Sequence, residues 1–320
     1  MTNRPALIAL NASRGFGERV AAALDLPLSA HEERLFEDGE HKARPLESVR
    51  GRDVYVLQCL HATPEHGVDE RLNRLLFMIA ALKDAGAARV TAVVPYLCYA
   101  RKDRRTKPRD PVTTRYVACL FEAVGTDRIC VLDVHNPAAY QNAFRIPAEH
   151  LEARHLLAAA IAEPIGSTSV VVVSPDSGGV KRADAFRQTL AELIKAEIPL
   201  AFAEKHRSAG VVSGEALVGE VSGRVAVLVD DLVSTGTTLL RAARRCREMG
   251  AIAVHAVATH GLLVGGAPSL FASPDLDSIT LTDSVPIEPR GRLRILSVAP
   301  LMAEAIRRLH VDGSLIDLNG

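Results

Sequence analysis

Five short apolar runs rich in β-branched residues recur along the chain: RVTAVVPY, RICVLDVH, SVVVVSPD, RVAVLVDD and AVHAVATH. Between them lie helix-length segments such as DERLNRLLFMIAALKDAG and TTLLRAARRCREMG, in which apolar and charged residues recur with a helical period. Strands that are apolar at every position, not at every second one, belong to sheets buried on both faces. The pattern therefore predicts largely parallel sheets flanked by helices, an α/β fold. Both quoted helices run up to a glycine, Gly86 and Gly250, the residue best suited to a left-handed C-terminal cap.

The pair ARVTAVVPY and DRICVLDVH echoes the pair TSVVVVSPD and GRVAVLVDD, which predicts two similar halves, the first without the glycine and threonine loop that follows the second. A chain of 320 residues suits two ordinary domains, each with its own core. We place the first domain at 1–150, the second at 151–298, and at 299–320 a C-terminal helix and tail able to pack back on the first domain. The junction falls near the segment from Pro147 to Pro164. In open α/β sheets ligands gather at the carboxyl ends of the strands. The polar tails lie there, at 95–99, 133–135, 175–179 and 230–238.

Composition narrows the function. Apolar residues make up 48% of the chain, and 38 basic residues balance 38 acidic ones, so no polyanion-binding surface is signalled and nucleic acid is not expected as a partner. No apolar run has the length of a membrane span and the first residues lack a signal-peptide layout, so a cytoplasmic protein without a membrane partner is expected. Cys59, Cys98, Cys119, Cys130 and Cys246 are odd in number and widely spaced, which suits reduced core thiols.

The stretch VLVDDLVSTGTTLL carries the most chemistry. It reads as strand, turn and helix start. The backbone N–H groups of such a turn, with hydroxyls from Ser234, Thr235, Thr237 and Thr238 around Gly236, form an anion site of phosphate size. Asp230 and Asp231 precede that site. They can accept hydrogen bonds from sugar hydroxyls or hold a Mg2+, so a phosphorylated sugar satisfies both halves at once. The bland alternative is a pair of turn-forming acids beside an N-cap cluster.

The stretch VLVDDLVSTGTT resembles the phosphoribosyl diphosphate (PRPP) loop of phosphoribosyltransferases and PRPP synthetases. PYLCYARKDRR, PVTTRYVACLFEAVGTDRICVLDVH, FEDGE, SPDSGGVKRA, EKHR and THGLLVGGA further resemble the ribose-phosphate diphosphokinase (PRPP synthetase) family. They occur in the family's order over nearly the whole chain. The resemblance implies two phosphoribosyltransferase-like domains, the first on the ATP side and the second on the ribose 5-phosphate side.

It also implies residue roles. Phe36, Asp38 and Glu40 line an adenine pocket that reaches in from a neighbouring subunit, although FEDGE alone reads as a polar turn. Arg101, Lys102 and Arg104 bind the ATP phosphates, although a charged run alone reads as a solvated face. His135 and Asp176 are implied as ligands of the Mg2+ on the ATP phosphates, although a lone strand-end histidine is more often structural. Lys205 and Arg207, beyond the expected edge strand LAFAE, become catalytic cations of a mobile flap. Asp230, Asp231, Ser234, Thr235, Gly236, Thr237 and Thr238 bind ribose 5-phosphate. Lys102, Ser234 and His206 depart from residues common in the family.

The implied reaction is transfer of the diphosphoryl group of ATP to the 1-hydroxyl of ribose 5-phosphate, giving PRPP and AMP, in a Mg2+-dependent homo-oligomer, a dimer or hexamer. Two alternatives use the same loop: a phosphoribosyltransferase that consumes PRPP, and a non-catalytic regulatory subunit of a synthetase.

Overall fold

The computed structural model describes residues 4–165, 168–208, 211–265 and 267–319, with the side chains of 205–208 and 211–215 outside that description. The chain divides into two compact units, Met1–Glu152 with Val298–Gly320, and Ala153–Ser297.

The first unit runs β1 (Ala6–Ala9), α1 (Arg14–Leu24), β2 (His31–Leu35), β3 (His41–Pro45), β4 (Asp53–Leu57), α2 (Val68–Asp84), β5 (Arg89–Val94), α3 (Thr113–Ala123), β6 (Arg128–Leu132), α4 (Pro137–Ala143) and β7 (Ala148–Leu151). The strands β1, β4, β5, β6 and β7 lie side by side in that order, all parallel. The central residues of β1, β4, β5 and β6 are buried, as continuous apolar runs require, whereas Glu149 and His150 of β7 are half-buried. Ile8, Val56, Val90 and Val131 pack into one core with Leu75 and Ile79 of α2 and Phe121 of α3. Strands β2 and β3 form a separate antiparallel hairpin.

The second unit runs α5 (Arg154–Ile165), β8 (Val170–Ser174), α6 (Val180–Ile194), β9 (Leu200–Ser208), β10 (Val211–Val218), β11 (Val225–Val233), α7 (Thr237–Glu248), β12 (Ala253–Gly261), α8 (Ala267–Ala272), β13 (Ser278–Thr282) and β14 (Leu293–Leu296). Its seven strands lie in the order β10, β9, β8, β11, β12, β13, β14, parallel except for β10 against β9. The order reverses at β8, so the crevice at the carboxyl ends of β8 and β11 is the switch point at which such sheets bind ligands. The α2 and α7 helices stop two residues before Gly86 and Gly250, whose φ of 83° and 88° is left-handed.

Three expectations need correction. The two units do repeat a common order of strand, short 3-10 turn, helix, hairpin and strand, but β1 corresponds to β8 and β4 to β11. The apolar runs had paired β5 and β6 with those strands, because buried β-branched strands look alike wherever they sit. LAFAE is not an edge strand: β9 lies between β8 and β10. The glycine-bearing segment after it is a paired hairpin that continues β9 through Ser208 and resumes as β10 at Val211. Finally, Cys119 is exposed, one position on from buried Ala118 and so turned away from the core face of α3. The other four thiols are buried, and burial pushes each up to about 12. Among the described residues no helix is long and apolar enough to cross a membrane.

Helix α9 (Ala299–His310) returns to the first unit and packs on α1, where Arg307 donates to the Ala23 carbonyl at 3.0 Å. Its end is tied to the start of β4 and β5. Arg89 grips Asp53 through Nε at 2.8 Å and Nη2 at 2.7 Å, and also reaches Asp312 at 3.0 Å and the Leu309 carbonyl at 3.2 Å. His310 Nδ1 lies 2.8 Å from Asp53 Oδ2. Burial alone would raise the Asp53 carboxyl, but the hydrogen bonds from Arg89 and His310 outweigh it and hold the group below its ordinary 3.8. A depressed folded value means stability that is full above 3.8 and is lost as pH falls through the folded value. We therefore expect Asp53→Asn to lower unfolding free energy at pH 7 by about 1–3 kcal/mol, the scale of charged hydrogen bonds. It should also flatten the acid side of the stability profile, read by urea titrations between about pH 3 and 7.

Candidate functional site

In the second unit, β11 delivers its acids while still a strand. Val225 to Val229 are buried, Asp230 is half-buried, and Asp231 is only 2% exposed. The strand runs on to Val233, further than a break at the acids would suggest. Its main chain stays paired with β12, Asp230 beside Ala258 and Leu232 beside His260, so both carboxylates stand on a fixed backbone. The Asp231 N–H donates to Asp230 Oδ1 at 2.9 Å.

Two adjacent carboxylates at a buried strand end need a counter-charge. Arg182, on the first turn of α6, supplies it: Nη1 lies 3.3 Å from Asp230 Oδ1 and 3.0 Å from Asp231 Oδ1. Burial, then the Asp231 charge, pushes the Asp230 carboxyl well above its ordinary range, while Arg182 pulls the other way. Arg182 stands in SPDSGGVKRA, but sequence reasoning missed its role. Nothing in the spacing between residues 182 and 230 shows that α6 and β11 meet at the crevice.

The loop at 234–236 follows. Gly236 has φ of 77°, and a Cβ there would meet Leu270 at 3.0 Å, so both backbone and packing call for glycine. The Leu240 N–H donates to its carbonyl at 2.9 Å, and Thr235 and Thr237 bring their hydroxyls within 3.0 Å of each other. Thr235 and Thr237 are exposed, Ser234 and Thr238 half-buried, at the N-terminus of the twelve-residue α7. Hydroxyls, turn and helix end thus form a solvent-facing anion cradle beside the carboxylate pair. At the end of β8, Asp176 Oδ1 accepts from the Gly179 N–H at 3.0 Å, and Ser174 Oγ donates to the Asp176 carbonyl at 2.6 Å. Gly179 must be small, since a Cβ would lie 2.8 Å from Ser174 Oγ.

In the first unit, Phe36, Asp38 and Glu40 occupy the tip of the β2–β3 hairpin. The tip closes through Phe36 N–H to the Glu40 carbonyl, and Gly39 takes φ of 91°. All three are exposed, Phe36 by 40% with Arg34 over its ring. Beneath them the hairpin is anchored on α2: His41 stacks on Phe77 at 5.2 Å, and Glu33, buried with His31 at 3.0 Å, faces Arg74 at 3.7 Å.

Arg101 and Arg104 are exposed on the segment after β5, whereas Lys102 is engaged with Asp110. That hydrogen bond, followed by one from Thr106, holds Asp110 well below the carboxylate range. Asp103 accepts from Asn136 Nδ2, the residue next to exposed His135, so the arginine-bearing segment is tied to the end of β6 beside that histidine. Asp103, Asp110 and Asn136 are not expected from the sequence; Asp103 and Asn136 meet across 33 residues, whereas Asp110 closes a local loop on Lys102 and Thr106. Lys205 and Arg207 lie at alternate positions of β9, opposite Glu215 and Val212 of β10, with their side chains outside the described ones.

Comparison with known proteins covers the whole chain. A family profile described as the N-terminal domain of ribose phosphate pyrophosphokinase matches residues 6–125, and one described as the phosphoribosyl synthetase-associated domain matches residues 211–319. A ribose-phosphate pyrophosphokinase of Caldanaerobacter subterraneus subsp. tengcongensis is 39% identical over 99% of this chain and 98% of its own length. One from Maricaulis maris is 40% identical over 98% of this chain and 99% of its own. The crystal structure of phosphoribosylpyrophosphate synthetase from Mycobacterium smegmatis superposes with a TM-score of 0.88 at 37% identity, covering 97% of this chain and 100% of that one.

Proposed function

The chain belongs to the ribose-phosphate pyrophosphokinase family, and from that premise we propose how its own residues carry the family's transfer of a diphosphoryl group from ATP to the 1-hydroxyl of ribose 5-phosphate. The observation that carries the proposal is the β11–α7 junction. A half-buried and a buried carboxylate, Asp230 and Asp231, stand just before a hydroxyl loop that is partly exposed at a helix N-terminus. The loop, Ser234 to Thr238, holds the 5-phosphate through its N–H groups and hydroxyls. Asp230 and Asp231 accept from the 2- and 3-hydroxyls, which leaves the 1-hydroxyl as the part of the sugar that the site does not engage.

The first unit presents the nucleotide-binding residues. Arg101, Arg104 and Lys102 neutralise the phosphates, a fork or point charge at a time. Exposure of Phe36, Asp38 and Glu40 on an anchored hairpin suits an adenine pocket completed between copies of the chain, as a dimer or hexamer would provide. The cytoplasm, where ATP and ribose 5-phosphate are supplied, is the compartment we assign.

Mg2+ fits the residues present. Among the described residues no group of three or more His, Cys, Asp or Glu is assembled as a metal cage. Mg2+ does not need one: it binds through one or two carboxylates, waters and substrate oxygens. Asp230 and Asp231 would hold it at the sugar, and Asp176 and His135 would serve as ligands from their own units for the nucleotide-bound ion. When bound it neutralises phosphate charge as the bond to AMP breaks. Asp176 is fixed for such a role by its bond from the Gly179 N–H.

A phosphoribosyltransferase would use the same loop but has no need of the first unit, and a silent regulatory subunit has no need of paired acids at the sugar site. The test is AMP release. Purified protein should form AMP and PRPP from ATP only when ribose 5-phosphate and Mg2+ are both present; AMP without the sugar, or none with it, would refute the reading.

A further inference from the structure

Asp103 stands among cations and bonds to none of them. Arg101, Lys102, Arg104 and Arg105 lie within two residues of it, yet its carboxylate accepts from the neutral amide of Asn136, whose Nδ2 lies 2.5 Å from Asp103 Oδ2. Arg101, Arg104 and Arg105 keep no acidic partner among the described residues. An acid anchored through a guanidinium would consume one of the charges that this segment presents. Anchored through an amide, it leaves the arginines to a ligand.

The other end of Asn136 is also in use. Its Oδ1 accepts from the Ala139 N–H at 3.2 Å and so caps α4, with Pro137 following at the start of the helix. Only one orientation of the amide satisfies both contacts, since an ionised carboxylate only accepts and a main-chain N–H only donates.

One side chain thus joins two segments that are 33 residues apart. On one side lies His135, between that cap and the Val134 N–H, which donates to His150 Nε2 at 3.2 Å. On the other lies the arginine-bearing segment. Its start is strained: Tyr99 takes a left-handed φ of 60°, held by Thr114 Oγ1 on its carbonyl at 3.0 Å and by Asp69 on its hydroxyl. The segment is therefore pinned to α2 and α3 at Tyr99 and to the cap of α4 at Asp103. Resting on the assignment of Arg101, Arg104 and His135 to the nucleotide, we propose that Asn136 is a positioning residue of the nucleotide site. It fixes the arginines that meet the phosphates relative to the histidine that serves the cation on them, and touches neither ligand itself. A loose segment of this charge would lose conformational freedom when ATP binds. One already fixed loses less and binds more tightly.

The experiment measures equilibrium binding of α,β-methylene-ATP with Mg2+, an analogue that cannot transfer its diphosphoryl group, alongside the Michaelis constant for ribose 5-phosphate. Asn136→Asp keeps an oxygen for the cap but sets a second carboxylate against Asp103. It should weaken the analogue about tenfold, the low end of the charged hydrogen-bond scale, and leave the sugar constant unchanged. Adding Asp103→Asn restores a donor between the two positions and should bring binding back to within about threefold of wild type. The recovery must exceed whatever Asp103→Asn gains alone, because that variant also removes a negative charge from the phosphate side. Asn136→Ser, which keeps a capping oxygen but has a shorter reach, should weaken the analogue as well, and stands in if Asn136→Asp does not fold. Wild-type binding by Asn136→Asp and Asn136→Ser, a double variant no better than Asn136→Asp, or an equal rise in the sugar constant would overturn the proposal. If Arg101→Gln and Arg104→Gln both bind the analogue like wild type, the nucleotide assignment fails first and takes the proposal with it.

Discussion

Replacing Lys205 with alanine is expected to lower turnover by roughly two to three orders of magnitude while leaving the melting temperature within about a degree of wild type. Charge accumulates on the bridging oxygen to AMP and on the β-phosphoryl oxygens as the bond to AMP breaks. A cation that meets it only in the transition state lowers the barrier without tightening substrate binding. One such contact is worth about 3–4 kcal/mol, the energy of an oxyanion donor, and the expected loss follows from that figure. The backbone supports the assignment: Lys205 and Arg207 occupy alternate positions near the free end of the β9–β10 hairpin, whose pairing is irregular between Val212 and Gly214. Such a segment can shift without disturbing the core that β8 and β11 form. Measuring turnover, both Michaelis constants and melting temperature for Lys205→Ala and Arg207→Ala decides the matter. Near-normal turnover with altered Michaelis constants would make them binding residues, and a large fall in melting temperature would make them structural.

Asp231→Asn should reduce the specificity constant for ribose 5-phosphate by about 1–3 kcal/mol, or roughly fivefold to 150-fold, with the constant for ATP much less affected. Asparagine keeps the shape but loses the charge that draws both the sugar hydroxyls and the cation. Breaking a fully buried ion pair costs about 3–5 kcal/mol of stability, because a charge is left unpaired. Here Arg182 keeps Asp230 at 3.3 Å, and its side chain is 26% exposed and can hydrate. The stability loss should therefore stay near 1 kcal/mol, the scale of a partly exposed pair. Unchanged sugar kinetics would remove Asp231 from the site, and equal losses for both substrates would mean that the variant disturbs more than the sugar pocket.

What the chain's residues disclose in advance depends on how local the cause is. The strand–loop–helix at 225–248 is legible because apolar run, glycine and hydroxyls act within a few residues of one another. The FEDGE turn is legible for the same reason, closing on itself through residues 36–40. The counter-charge of Asp231 is not, since Arg182 meets it only after the sheet has brought α6 to β11. The anchoring of the β2–β3 hairpin through Glu33 and Arg74 is likewise a meeting of distant segments. The internal repeat fell between these cases. Alternation of strand and helix showed two similar halves, but strands buried on both faces carry no mark of their place in a sheet, so the register of the repeat came only with the hairpins. Cys119 shows the limit at finer scale: its neighbours are apolar, and only the rotation of α3 decides that it faces out.

The return of α9 to the first unit has a consequence for synthesis. The helix that covers α1 and ties Arg89 to Asp312 leaves the ribosome only after the 145 residues from Ala153 to Ser297 have been translated. At roughly 5–20 residues per second that interval is on the order of ten to thirty seconds. Throughout it α1 lacks the helix that packs on it, whereas the second unit, contiguous in sequence, can close on its own. The unit made first is thus completed last, and translation halted before α9 leaves a complete second unit attached to an incomplete first one.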